Sequence, residues 1–400
     1  MAAFDSVFFT PPCIRIGKGL ARRLGELVQA LGVRKVMLVT DPCVASLKLH
    51  EPAVASLAAE AITVAVYDTV IADPPLSQAL ELRELLQKDA PDLVIGFGGG
   101  SAIDLAKIAA IMARNEGDLR DFVGVNLVPR PGLPTLFIPT TAGTGSEATH
   151  IGILNDVERQ LKIGIVSEYM FTKHVVLDPE LTLTLPPQTT CWTGLDALIH
   201  AIESYVSRAA TPITEALAIR AMELISRHLR KAYAVGSNME AREGMLIASL
   251  LAGMAFSNTQ CGGAHACALA VGARCRLAHG LATTLMLPAV MEFNLIAAPE
   301  KYRHIAEIFG RDTRGMSLYA GAAESIRAVT DLAKSMDFVF GLEHYGASPD
   351  HIPALAERCL PPARLWNSNP RTADMLQVTR ILERSFGDWP KESDFTRHYR

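Results

Sequence analysis

Cysteine is sparse in this chain and never arranged in pairs. Seven cysteines are scattered over 400 residues with no C-x-x-C spacing, which argues against a disulfide framework or a zinc ribbon and for a reducing compartment. Charge is balanced: 20% of residues are charged and the net charge is -4, so no nucleic acid or other polyanion is expected as a partner. No uninterrupted apolar run reaches the ~18 residues of a membrane span, and the N-terminal Met-Ala-Ala-Phe-Asp-Ser has no basic stretch leading into an apolar core. Neither a membrane partner nor a secretory leader is expected, and a cytoplasmic globular protein is. What remains is 49% hydrophobic residues, enough for a large interior, in a chain long enough for two domains of ~150–200 residues.

The two halves differ in texture. In the first, Lys35–Thr40, Thr63–Tyr67, Leu93–Phe97, Thr135–Pro139 and His174–Leu177 are short β-branched runs stopped by Asp, Gly or Pro, and they read as strands. Between them Gly19–Leu31, Leu76–Lys88 and Ile103–Ala113 have helical spacing. Such alternation predicts a mostly parallel, doubly wound sheet. Beyond Pro186-Pro187 the β-branched runs give way to Ala- and Leu-rich segments with helical periodicity. This predicts an α/β domain over 1–187 and an all-α domain over 188–400, the latter broken at Gly262-Gly263, Gly272, Pro288 and Pro361-Pro362.

Two loops carry phosphate-binding chemistry. Gly98-Gly99-Gly100-Ser101 follows a predicted strand and opens a helix that contains Asp104. Glycines there leave backbone N–H groups free, and the helix start adds partial positive charge. The next predicted strand leads into Thr140-Thr141-Ala142-Gly143-Thr144-Gly145-Ser146, whose hydroxyls suit phosphate, ribose or nicotinamide. Adjacent strand ends of an open α/β sheet face one crevice, so the loops are expected to act together. Asp41 ends the second predicted strand. It either accepts hydrogen bonds from an adenosine ribose, favouring NAD over NADP, or caps an Asp-Pro turn.

Asp196 and His200 stand at i and i+4 on one helix face among Leu195, Leu198, Ile199 and Ile202. In such apolar surroundings they either bind each other or share a metal ion. His265 and His279 form a second Gly-flanked, apolar pair, which favours the metal. One carboxylate and three imidazoles suit Fe(II) or Zn(II).

With these features together the chain resembles the iron-containing (group III) alcohol dehydrogenases. GGGSAIDLAK at 98–107, PTTAGTGSEAT at 139–149, GLDALIHAIESYVS at 194–207 and AHGLATTLMLPAVMEFN at 278–294 occur in the family's order, through to NPR at 369–371. The resemblance implies an N-terminal Rossmann-like domain, a C-terminal helical domain in a dehydroquinate synthase-like architecture, and NAD(P)H in the cleft. It further implies a catalytic metal on Asp196, His200, His265 and His279, a cofactor contact from Lys162 in the hairpin-like LNDVERQLKIGIVS, and a homodimer. Two positions depart from the family: Leu269 replaces a histidine of the proton relay, and Leu365 replaces a cysteine ahead of Asn-Pro-Arg. His150, just after the second loop, is the candidate for the missing proton carrier or for holding an anionic substrate group.

The implied reaction is metal-assisted hydride transfer between NAD(H), with NADP the alternative, and a small alcohol or aldehyde. A reductase of an oxo-acid or acidic aldehyde, of the maleylacetate or phosphonoacetaldehyde type, is the second reading. A dehydroquinate synthase-like lyase needs a basic cluster, and only Arg274 and Arg276 lie near the ligands in sequence. A non-enzymatic metal or nucleotide sensor is the third alternative.

Overall fold

The computed structural model describes residues 6–159, 161–361 and 363–390. Gln160, within the sequence-predicted hairpin around Lys162, and Pro362, within the expected Pro361-Pro362 break, lie outside the described residues. The chain forms two compact units: Phe9–Thr184, and Leu185 onward together with the N-terminal segment through Phe8. The division falls just ahead of Pro186-Pro187.

The first unit contains strands β1 (Cys13–Ile16), β2 (Lys35–Val39), β3 (Thr63–Tyr67), β4 (Leu93–Gly98), β5 (Gly124–Val125), β6 (Thr135–Pro139), β7 (Ile151–Asp156), β8 (Leu161–Val166) and β9 (His174–Leu177). Its helices are α1 (Leu24–Gln29), α2 (Pro42–Ser46), α3 (Glu51–Ala59), α4 (Leu76–Asp89) and α5 (Gly100–Met112). Six strands form a parallel sheet in the order β1-β9-β6-β4-β2-β3. Strand pleat sends successive side chains to opposite faces. Val36 and Leu38 therefore enter one core with Ile95 and Phe97, while Met37 and Val39 enter the other with Val94 and Phe137. A sheet covered on both faces is what uniformly apolar strands require.

All five predicted strands are present, to within a residue or so at their ends. Three features differ from expectation. β1 is an additional edge strand paired with β9. The hairpin around Lys162 is present as the antiparallel β7–β8 pair, but β5 extends it into a separate second sheet, β5-β8-β7. The predicted Gly19–Leu31 helix is a 3-10 turn over Leu20–Arg23 followed by the short α1.

The second unit comprises α6 (Pro187–Val206), α7 (Pro212–Ala234), α8 (Met239–Thr259), α9 (Gly263–Cys275), α10 (His279–Asn294), α11 (Pro299–Ile308), α12 (Leu318–Lys334), α13 (Ile352–Cys359), α14 (Ala363–Ser368) and α15 (Met375–Arg384). α6 packs against α7, α8 and α10 and is buried on every side from Gly194 to Val206, as a helix apolar nearly all round must be. Two expected breaks are not breaks. Gly272 lies inside α9, where a Cβ would sit 3.4 Å from Ala282 on α10, so it serves close helix packing. Pro288 lies buried inside α10, where packing outweighs the ladder bond a proline removes. The segment His279–Ala297 is long and apolar enough to cross a membrane by length and composition, yet 72% of that window is buried in the protein's interior.

Candidate metal and cofactor sites

The helical unit places Asp196 and His200 on α6, His265 in the first turn of α9 and His279 at the start of α10. One ligand atom from each lies within 4.8 Å of the others. The Nε2 atoms of His200 and His265 are 3.0 Å apart, and Asp196 Oδ1 is 3.9 Å from His265 Nε2 and 3.8 Å from His279 Nε2. Asp196, His200 and His265 are buried, whereas His279 keeps 36% of its side chain exposed. A buried carboxylate and imidazoles converging on one point are what a divalent cation resolves, and an N3O donor set fits Fe(II) or Zn(II).

The groups behind the ligands fix their orientation. Thr283 donates to Asp196 Oδ1 at 3.0 Å. The ring of His200 stacks on Phe256, centroids 4.3 Å apart. Glu203, one turn beyond His200, accepts from His265 Nδ1 at 2.6 Å and from the backbone N–H groups of Gly262 and Ala264 at 2.7 Å each. A carboxylate of α6 thus caps the start of α9. Burial alone would raise the Glu203 carboxyl, but His265 and the two N–H groups hold it below its ordinary range. An ionised Glu203 holds one ring proton of His265 on Nδ1, so a cation would meet the Nε2 lone pair once the second ring proton is released. Burial alone would lower His265, but neighbouring Cys261 and Glu203 hold it well above the usual imidazole value. Glu203 escaped the sequence reading although Asp196, His200 and Glu203 form an i, i+4, i+7 stripe.

In the α/β unit the loop that opens α5 and the loop that follows β6 lie side by side at adjacent ends of parallel strands. Thr140 N donates to the Gly98 carbonyl at 3.0 Å. A Cβ on Gly100 would stand only 2.7 Å from Thr144 Cγ2, so the close approach there requires glycine, whereas one on Gly99 would meet Thr141 Cγ2 at an ordinary 3.5 Å. Beneath them Lys107, fully buried, donates to Ser146 Oγ at 2.7 Å, Thr149 Oγ1 at 2.9 Å and the Ile151 carbonyl at 2.8 Å. Asp104 accepts from the Ser146 hydroxyl through one oxygen and from Ile153 N through the other. Asp104 and Ser146 are therefore bonded to each other, and Lys107 was not anticipated from sequence.

The remaining expected residues have definite places. Asp41 Oδ1 caps α2 by accepting from Cys43 N and Val44 N, while its Oδ2 points toward Gly98. Ser101 Oγ accepts from Asp73 N at 3.3 Å, and Lys162 pairs with Asp73 at 2.6 Å. His150 stacks on Phe171 with centroids 4.8 Å apart. Leu269 lies one turn past His265 on α9 and is half-buried.

A doubly covered parallel sheet with paired glycine and hydroxyl loops, followed by a helical unit with a three-histidine, one-carboxylate cluster, defines a metal-dependent oxidoreductase that uses a nicotinamide cofactor. The pattern described as iron-containing alcohol dehydrogenase matches residues 11–179, and that of the C-terminal part of the same family matches residues 190–386. The chain is 41% identical to a sulfoacetaldehyde reductase of Bilophila wadsworthia (strain 3_1_6), covering 95% of this chain and 99% of that protein. It is 36% identical to an NAD-dependent methanol dehydrogenase of Bacillus methanolicus, with 94% and 98% covered. The crystal structure of a 1,3-propanediol oxidoreductase superimposes with a TM-score of 0.92 at 35% identity, covering 96% of this chain and all of that one. The chain belongs to the iron-containing alcohol dehydrogenase family. Its chemistry is hydride transfer between NAD(H) and an alcohol or aldehyde.

Proposed function

We propose that the enzyme acts mainly as an NADH-dependent reductase of a small aldehyde bearing an acidic group, with a divalent metal on Asp196, His200, His265 and His279. The convergence of these four side chains, three of them buried, carries the reading of the metal site. The acidic substrate is supported by the 41% identity to a sulfoacetaldehyde reductase. Bound there, the ion supplies Lewis acidity toward a substrate oxygen. Bound NADH supplies the hydride.

The protein's own groups orient these partners. Glu203 fixes the tautomer of His265, Thr283 fixes Asp196, and Phe256 supports the His200 ring. Residues 1–187 are proposed as the dinucleotide-binding domain and 188–400 as the catalytic domain. Gly98, Gly99, Gly100, Ser101, Thr140, Thr141 and Thr144 are the proposed phosphate and nicotinamide contacts, held in shape by Asp104, Ser146 and Lys107. Asp41 Oδ2 and Lys162 are proposed at the ribose and the nicotinamide side. An acidic Asp41 disfavours a 2′-phosphate, which supports NAD over NADP. Because Leu269 cannot titrate, His150 is the proposed proton carrier. A homodimer and a cytoplasmic location are proposed from the family resemblance and from the unpaired, scattered cysteines.

The test is an anaerobic assay of Fe(II)- and Zn(II)-loaded protein against alcohols, neutral aldehydes and acidic aldehydes, following NADH and NADPH absorbance. His279→Ala is expected to lose bound metal and at least about 100-fold in kcat/KM. Full metal content and full activity in that variant would overturn the ligand assignment. In the same assay, a pH profile of His150→Ala identical to the parent's would remove His150 from the proton path.

A further inference from the structure

Burial pushes three arginines of the helical unit, Arg242, Arg364 and Arg371, below the ordinary guanidinium range. Two of them are hydrogen-bonded within the protein. Arg242 donates to the carbonyls of Gly236 and Leu185 and to the Thr190 hydroxyl, at 2.8 to 3.0 Å. Arg371 donates to the Phe293 carbonyl and lies 4.0 Å over the Phe293 ring. The Arg364 guanidinium makes no hydrogen bond or ion pair with any described residue. The titratable group that acts on it is the thiol of Cys261. A half-buried cation without a counter-ion costs free energy, and such groups concentrate where a ligand supplies the missing charge.

The position of Arg364 is fixed by its neighbours on α14. Trp366 Nε1 donates to the Cys359 carbonyl at 2.8 Å, and its ring packs against Gly263, where a Cβ would stand 2.8 Å away. Asn369 Oδ1 accepts from Gly263 N at 3.1 Å and from Asn294 at 2.8 Å. α14 is thereby held against the turn 261–263 that leads into the metal-binding helix. Cys261, at the start of that turn, clusters with Glu203 and His265, one ligand atom of each lying within 4.8 Å of the others. The sequence Arg364, Cys261, His265 thus runs from an unpaired cation to a metal ligand.

We propose that Arg364 is the subsite for an oxyanion at the far end of the substrate, a sulfonate, carboxylate or phosphonate on a short aldehyde whose carbonyl is turned toward the four-ligand cluster. This rests on the acidic-aldehyde reading above and names the residue responsible for it. A guanidinium offers a planar fork of donors that matches such oxyanions in bidentate fashion.

The experiment compares metal-loaded parent, Arg364→Gln and Arg364→Lys on sulfoacetaldehyde, succinic semialdehyde and the neutral propionaldehyde. Binding of the unreactive ethanesulfonate is measured by calorimetry. The glutamine variant is expected to lower the anionic-to-neutral ratio of kcat/KM by roughly 10- to 100-fold, mainly through KM, and to weaken ethanesulfonate equally. The lysine variant recovers part of both, and the two anionic aldehydes distinguish sulfonate from carboxylate. A purely structural arginine would lower all rates alike and leave the ratio unchanged, which overturns the assignment. A parent enzyme with no preference for either anionic aldehyde overturns the acidic-substrate reading itself. A parent that prefers them while Arg364→Gln keeps that preference overturns only the role of Arg364.

Discussion

Glu203 joins three structural tasks in one carboxylate. It caps α9 through Gly262 and Ala264, orients His265, and balances positive charge at a buried site. Glu203→Gln keeps the size but replaces one acceptor oxygen with a donor NH2, which faces either a backbone N–H or the His265 ring. Groups behind metal ligands tune affinity by about 10- to 100-fold. The glutamine variant is therefore expected to lose metal at a 10- to 100-fold lower chelator concentration, measured by metal content after equilibrium dialysis. An unchanged chelation midpoint would show that His265 needs no orienting partner. The signal for Glu203 was present in the sequence as a helical stripe. The signal for Arg364 was not, because its meaning depends on Trp366 and Asn369 docking the short helix α14 onto residues distant in the chain.

At the scale of elements, most of the parallel sheet was legible because its strands are short apolar runs with sharp Gly, Pro or Asp stops. β1 was not, since CIRI is only four residues long, is interrupted by Arg15, and takes its identity from pairing with β9. Gly272 and Pro288 misled because local propensity predicts breaks that close packing of α9 and α10 overrides. The phosphate-type loops were legible as motifs, but the ion cluster that holds α5 to the second loop was not. Glu147, 1% exposed with Oε1 lacking a hydrogen-bond partner, sits there beside Lys107. Burial pushes its carboxyl up to about 7 against the attraction of Lys107, and pushes Lys107 down to about 8. A carboxyl raised in the folded state contributes stability below its unfolded value, near 4.5, and loses that contribution as pH rises through 7. At about 1.4 kcal/mol per unit this amounts to roughly 3 kcal/mol. Glu147→Gln is expected to flatten the decline in thermal stability between pH 5 and 7 and to unfold at a higher temperature than the parent at pH 7.5. Parallel stability profiles for the two proteins would mean that Glu147 stays ionised without cost.

For the molecule as a whole, the two binding functions map to separate stretches of chain. All four proposed metal ligands belong to the unit that begins at Leu185, and all the proposed dinucleotide contacts belong to Phe9–Thr184. A ligand that binds only the folded form stabilises it by mass action, about 2.7 kcal/mol at one hundred times its dissociation constant. For units of this size each kcal/mol moves the midpoint by roughly 2–4 °C. Removing the metal is therefore expected to lower one calorimetric component, that of the helical unit, by about 5–10 °C. NADH is expected to raise the other component while leaving the chelated one low. Separately expressed segments supply the assignment of each component. If chelation moved only the α/β component, the metal would not be held by α6, α9 and α10. If either ligand moved a single shared transition by the same amount, the two units would unfold as one cooperative body, and binding at each would stabilise the other.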